Sequence, residues 1–208
     1  ITYNRVKYHE CKGSESMFDP QNKASLSIED SVKSKAINSI MSLDAFPKYD
    51  LFLSQVIEFI EDLMNDDTYT INIIQNYIKS EVIAKPYQGK KKGYTKLHLI
   101  QLVFVSYMRP VLSTDEIKKV FRLAFNDINN REDDIISWET AYELFYEIVN
   151  DQANNPNTMI MDEEKLRSIV AKLHIREEDK ERIFVFISVL ALVAQASFIK
   201  NTAKRLLD

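Results

Sequence analysis

Apolar side chains recur at helical spacing along most of this chain. Leu53, Val56 and Ile60 follow one another at intervals of three or four residues, which is the period of an amphipathic helix. This helix is expected to occupy 50–64, where an acidic, polar segment ends it. A second helical pattern begins directly after Thr70, so the order predicts a helix, a short turn and another helix.

The second helix has an apolar and a polar side. Thr70 is a candidate N-cap because its hydroxyl can accept an N–H bond that the first turn leaves unpaired. At 100° per residue, Ile71, Ile74 and Ile78 fall on the apolar side. The polar stripe consists of Asn72, Asn76 and Lys79, with Gln75 and Tyr77 beside it.

Two of the chain's three glycines, Gly89 and Gly93, surround a run of three lysines. Glycine reaches positive φ without a Cβ penalty, so this pair predicts a reversal of the backbone. We expect a short β-hairpin with its tip at 88–92. The residues that would carry its charge and form its base are Lys90, Lys91, Lys92, Tyr94, Thr95 and Lys96.

The rest of the chain also favours helices. One helix is expected from about Thr95 until Pro110 stops it, and Ser113 with Glu116 forms a capping box for the next. Residues 1–25 are predicted to be a polar arm. Further helices are expected at 27–42, 114–125, 137–152, 162–173 and 177–206.

Composition agrees with a mainly α protein. The chain has 208 residues, 45% of them hydrophobic, with only three glycines and five prolines. We expect an N-terminal arm and helix at 1–48, a central domain at 49–125 and an all-helical C-terminal region at 126–208. A single cysteine, Cys11, excludes a disulfide within the chain and suits a reducing cytoplasm. The apolar stretch 183–199 carries polar residues and charged flanks, so a buried or subunit-joining helix is expected, not a membrane span.

Charge is unevenly distributed. The formal net charge is −4, yet the stretch from Lys79 to Lys96 contains six lysines and one acid. This asymmetry predicts one anion-binding face on an otherwise acidic chain. Because duplex DNA presents closely spaced phosphates, lysines on a projecting turn suit its backbone. Asparagine and lysine on a helix suit adenine and guanine edges in the major groove.

Catalytic and metal-binding patterns are missing from the sequence. His9, His98 and His174 are scattered, and no nucleophile elbow, phosphate-binding loop or dinucleotide fingerprint occurs. The stretch from Asp127 resembles a calcium loop, but it lacks the required glycine and the final glutamate. No enzyme activity, cofactor or metal is therefore expected.

The stretch from Thr70 to Ile117, "TINIIQNYIKSEVIAKP…KKGYTKLHLIQLVFVSYM…LSTDEI", resembles the DNA-binding head of MerR-type regulators. "FPKYDLFLSQVIEFIEDL" with "IIQNYIKSEVIAKP" is similar to a bacterial family catalogued as a domain of unknown function, number eighteen thirty-six. The resemblance covers 45–121. It implies a winged helix-turn-helix in which Tyr77 is the second-helix tyrosine and Tyr94 ends the wing. The family's metal-binding cysteines are absent, so no metal-sensing role is implied.

A DNA-binding transcriptional regulator is the function expected from these features. Specific reading of duplex DNA normally uses two heads, so a homodimer is expected, with 183–199 either joining the subunits or lying in one subunit's core. A small-molecule effector in the C-terminal helices is compatible with this function. The alternative is a helical protein-interaction or scaffold module whose basic loop meets an acidic partner.

Overall fold

The computed structural model describes residues 40–64, 69–86, 93–154, 162–205 and 207. Two 3-10 turns, at Leu43–Ala45 and Glu177–Asp179, accompany the α-helices of this part of the chain. The seven α-helices there are α1 Leu53–Met64, α2 Ile71–Lys79, α3 Lys96–Met108, α4 Thr114–Phe121, α5 Trp138–Asn154, α6 Glu163–Ala171 and α7 Lys180–Arg205. The prediction of a mainly α fold is confirmed.

Two predicted helix starts are confirmed by their caps, whereas the helix predicted from 50 starts at Leu53. Thr70 Oγ1 accepts the Ile73 N–H at 3.3 Å, which fixes the first turn of α2. Ser113 Oγ accepts the Glu116 N–H, and Glu116 returns a carboxylate oxygen to the Ser113 N–H at 2.7 Å. The helix that follows ends at Phe121, before the predicted end at 125.

Helix α3 is the central helix of the fold. Ten of its thirteen residues are buried, because it carries no continuous polar stripe and must be covered on all sides. Helices α1, α5 and α7 pack against it. Phe104 at its middle contacts the rings of Phe121, Trp138, Tyr142, Phe145 and Phe186.

Helix α7 covers α3 with one face and leaves the other exposed. Ser197 Oγ donates to the Tyr107 carbonyl at 2.7 Å, and Lys200 Nζ donates to the Pro110 carbonyl at 3.2 Å. Its inner side chains are fully buried, whereas Leu192 on the outer face is 59% exposed. No helix in the described part of the chain is long and apolar enough to cross a membrane.

One hydrophobic core extends from Ile40 to Ala194 and includes residues on both sides of the predicted boundary at 125. The three-part division of the chain therefore stays a prediction. Of the helix predicted at 27–42, only 40–42 are described, and they are not helical.

The predicted β-hairpin is not shown by the structure. Residues 87–92, which include its tip, lie outside the described residues, and the described chain contains isolated bridges but no longer strand. Tyr94 pairs with Leu51 in one of these bridges instead of pairing with the segment before the lysines.

Candidate nucleic-acid interface

Helix α2 presents its polar side chains to solvent. Ile74 is fully buried and anchors the helix against the core, while Tyr77 is partly buried. Ile71 was expected on the apolar side, but its side chain is 51% exposed. It is the first residue of α2, and the first turn of a helix can extend beyond the core. The predicted polar residues that the structure leaves exposed are Thr70, Asn72, Gln75, Asn76 and Lys79.

A tight backbone turn ends α2. The Val82 N–H donates to the Tyr77 carbonyl at 2.8 Å, and the Glu81 N–H donates to the Ile78 carbonyl at 3.1 Å. These two bonds define a Schellman motif, in which the residue after the C-cap adopts the left-handed conformation. Here that residue is Glu81, with φ 56°, although glycine is usual at this place. The turn buries Val82 and so fixes how α2 leaves the surface.

An antiparallel bridge joins the start of α1 to the segment after the lysines. The Leu51 N–H donates to the Tyr94 carbonyl at 2.7 Å, and the Tyr94 N–H donates to the Leu51 carbonyl at 3.3 Å. The neighbouring Gly93 is buried. The lysine segment therefore ends at a fixed point beside the first helix, while Lys90, Lys91 and Lys92 lie outside the described residues.

The first turn of α3 is organised by His98. Its Nδ1 accepts the Thr95 N–H at 3.0 Å, and its ring meets the Tyr94 ring edge-on, with the centroids 5.4 Å apart. Burial lowers the pKa of His98, although the nearby carbonyls of Lys85, Thr95 and Ala84 and the charge of Asp50 oppose this effect. Thr95 thus has a structural role as a cap, and Lys96 is only partly exposed beside it.

Of the residues predicted to contact DNA, those described fall into two groups. The exposed face of α2 forms one group, and Tyr94, Thr95 and Lys96 at the start of α3 form the other. The family model of a domain of unknown function, DUF1836, matches residues 41–145, which is about half of the chain and includes both groups. The chain belongs to the DUF1836 family.

This DUF1836 member also has a curated relative. It is 27% identical over 139 residues to an uncharacterized protein, YkrK, of Bacillus subtilis strain 168. The match covers 65% of this chain and 55% of the relative, so the chain spans about half the length of the relative. No solved structure matches the chain.

A second group of cations in this DUF1836 member was not predicted from the sequence. Lys85 follows the turn after α2, and Lys118 and Arg122 lie at the end of α4, all three lining one cavity. A signal was present, because residues four apart share a helix face, which brings Lys118 and Arg122 to the same side. In the part of the chain that the structure describes, no three His, Cys, Asp or Glu side chains are grouped as metal ligands.

Proposed function

We propose that this chain is a cytoplasmic DNA-binding transcriptional regulator with a MerR-like winged helix-turn-helix head and no catalytic activity. The observation that carries the proposal is the exposed amide and lysine face of α2, a short capped helix held against the core by Ile74. Helix α1 and the segment between Met64 and Thr70 precede it, in the order of a helix-turn-helix. A polar stripe can contact base edges only if its side chains are exposed, and the polar stripe of α2 is exposed.

Helix α2 has suitable dimensions and chemistry for the major groove. Its nine residues extend about 14 Å, comparable to the groove's width of about 12 Å. Recognition helices read bases mainly with their N-terminal half, which here carries Asn72 and Gln75, and Asn76 follows directly. Asparagine and glutamine can bind the adenine edge in two places, and Lys79 suits guanine. The exposed Ile71 offers an apolar contact for a thymine methyl group.

Phosphate contacts would come from the segment between α2 and α3. In this proposal Lys90, Lys91 and Lys92 would supply its basic tip, and Tyr94, Thr95 and Lys96 its base. The bridge between Leu51 and Tyr94 supports this arrangement because it attaches the base to the start of α1. A wing anchored in this way moves together with the helix-turn-helix and can bind the backbone beside the groove.

A homodimer would provide two heads for a symmetric DNA site. The outer face of α7 carries Val185, Leu192 and Ile199 at intervals of seven residues, and they are 38%, 59% and 53% exposed. Apolar residues at this spacing are typical of a helix that packs along a second helix. We therefore propose that α7 joins two copies of the chain, while its inner face packs on the core. A small-molecule effector that shifts DNA affinity is compatible with this arrangement.

Selection of bound duplexes from a random pool tests the proposal. We expect enrichment of a palindrome whose half-sites match the two heads of a dimer. On the enriched duplex, affinity should fall by orders of magnitude between roughly 50 and 200 mM salt, because bound lysines release counterions. Replacing Lys90, Lys91 and Lys92 together by alanine should weaken binding to all duplexes and reduce the salt dependence.

The α2 face is tested separately with Asn76→Ala. This change should reduce discrimination at one base pair by about 1 to 3 kcal/mol, with less effect on non-specific binding. Asn150→Ala on α5 is the matched control, since it removes an amide from a partly exposed helix position away from the interface. If no sequence is enriched and both variants behave alike, the protein-interaction module with an acidic partner becomes the better hypothesis.

A further inference from the structure

A cavity lies between the turn that follows α2, the first turn of α3, and α4 with the loop after it. Its volume is about 860 Å³, within the range of small-molecule sites in proteins. Leu97, Phe121 and Phe125 contribute apolar walls, and polar side chains surround them. This combination suits a ligand with a small apolar body and a polar end.

The charge lining the cavity is predominantly positive. Four cationic side chains, those of Lys85, Lys118, Arg122 and Arg131, face two carboxylates, those of Glu81 and Asp127. Arg131 is already paired with Glu139 at 3.1 Å. Within the described residues, no carboxylate forms a salt bridge with Lys85, Lys118 or Arg122. Three cations therefore remain for an anionic ligand.

A buried hydrogen-bond donor also lines the cavity. His98 is only 2% exposed, and its Nδ1 accepts the Thr95 N–H at 3.0 Å, so in the neutral ring the proton resides on Nε2. No group in the described chain accepts a hydrogen bond from Nε2, although the carbonyls of Ala84 and Lys85 lie near the ring. An unpaired buried donor is costly, so an acceptor that a ligand brings to Nε2 would be favourable.

Gln101, one helical turn further along α3, also has a buried donor without an acceptor in the described part of the chain. Its Oε1 accepts the Ala84 N–H at 2.9 Å, which fixes the orientation of the amide and leaves Nε2 as the donor. That nitrogen is buried and has no acceptor in the described part of the chain. Two unpaired donors thus lie three residues apart on α3, both beside the segment that forms one wall of the cavity.

We propose that this cavity binds a small organic anion, with its carboxylate or phosphate group between Lys118, Arg122 and His98 and its apolar body against Phe121 and Leu97. An anionic oxygen supplies the acceptor that the His98 donor lacks, and the lysine and arginine neutralise its charge. This inference goes beyond duplex binding and does not depend on it, because it rests on the cavity alone.

Phenyl phosphate is a suitable probe because it combines an anionic group with a small apolar ring. Titration into the full chain is followed by the imidazole 1H–15N NMR signals, which are few because the chain has three histidines. We expect the His98 Nε2–H signal to shift progressively, with a Kd near 1 mM for a ligand of this size, while the exposed His174 does not respond. The neutral compound benzyl alcohol, which keeps the phenyl ring but lacks the anionic group, should bind at least about 10-fold more weakly.

The double variant Lys118→Gln with Arg122→Gln should weaken phenyl phosphate binding at least about 10-fold. Lys119→Gln is the matched control, because Lys119 is the exposed neighbour that does not line the cavity. Circular dichroism spectra of the variants establish that the fold is retained. Three results would each overturn the proposal: a stationary His98 signal at 10 mM probe (roughly ten times the expected Kd), equal binding of benzyl alcohol, or an equal loss with Lys119→Gln.

Discussion

The hydroxyl groups of Tyr69 and Ser106 lie 2.7 Å apart in a buried hydrogen bond. Tyr69 immediately precedes the N-cap of α2, and Ser106 lies near the end of α3, so the bond attaches the start of the proposed recognition helix to the central helix. The Arg109 guanidinium stands over the Tyr69 ring, 4.5 Å from its centroid. The entry of α2 is thereby fixed from inside the core.

Tyr69→Phe should lower the free energy of unfolding by about 1 kcal/mol. The change removes one buried hydrogen bond, but Ser106 keeps its bond to the Leu102 carbonyl at 2.8 Å, so no strongly unpaired group is left. Chemical denaturation measures this effect. Tyr146→Phe is the control, because Tyr146 is partly buried and forms no hydrogen bond within the described residues. This variant should change the free energy of unfolding by close to zero. Equal losses for the two variants would contradict this account of Tyr69.

Glu81→Gly should raise the free energy of unfolding by about 0.5 to 1 kcal/mol. A residue with a Cβ in the left-handed conformation costs about 1 to 2 kcal/mol, and the greater flexibility of glycine in the unfolded chain offsets part of the gain. The same substitution at Glu61, exposed in α1, should instead destabilise by about 1 kcal/mol because its backbone is helical. Thermal and chemical unfolding of both variants should give changes of opposite sign.

Stability should fall as pH rises between about 4 and 8 because of Asp134. Burial, with the charges of Asp133 and Glu139 adding to it and Arg131 opposing it, raises the pKa of Asp134 from 3.8 to about 7. The folded state thus binds a proton that the unfolded state releases, so the contribution is full below pH 3.8 and is lost as pH passes 7. Allowing for solvent screening, we expect a loss of about 1 to 2 kcal/mol.

The variant Asp134→Asn isolates this effect. Because asparagine does not ionise, the difference in stability between pH 5 and pH 8 should shrink relative to the original chain. Glu132→Gln removes a charge from the exposed part of the same loop and should leave the pH profile close to that of the original chain. A pH profile unchanged by Asp134→Asn would show that this carboxyl does not carry the dependence.

Leu192→Glu should dissociate the proposed dimer. The side chain is 59% exposed in the single chain, so glutamate is tolerated there, whereas at the centre of a helix pair it would bury a charge. Sedimentation velocity should show a monomer for this variant and a dimer for the original chain. Ile71→Glu, at a residue 51% exposed on α2, should remain a dimer. A monomeric original chain would exclude α7 as the subunit contact.

The local parts of the fold were predictable, and the distant contacts were not. Thr70 as a cap and Ser113 with Glu116 as a capping box depend on residues three apart, so their chemistry is visible in the sequence. The bridge between Leu51 and Tyr94 joins residues far apart along the chain, and no short sequence pattern predicts it. The left-handed Glu81 was equally hidden, because glycine is the usual indicator of that conformation.

The candidate site was also predictable from the sequence only in its local features. Periodicity placed the α2 amides on one face, and the structure leaves that face exposed. Ile71 was misplaced because a wheel ignores the fact that the first turn of a helix can extend beyond the core. The cavity cations Lys85 and Lys118 come from segments about thirty residues apart, so only the tertiary fold brings them together.

The pairing of Leu51 with Tyr94 has a consequence for how relatives of this chain can diverge. Since the bridge holds the chain after the lysines and the hydrogen bond from the Ala84 N–H to Gln101 Oε1 holds it before them, residues can be inserted or deleted among the lysines without displacing either neighbouring helix. The length of the lysine segment can then vary, and it sets how far the basic side chains extend from the scaffold. Natural variants that differ in this segment would then differ in reach while keeping the same scaffold.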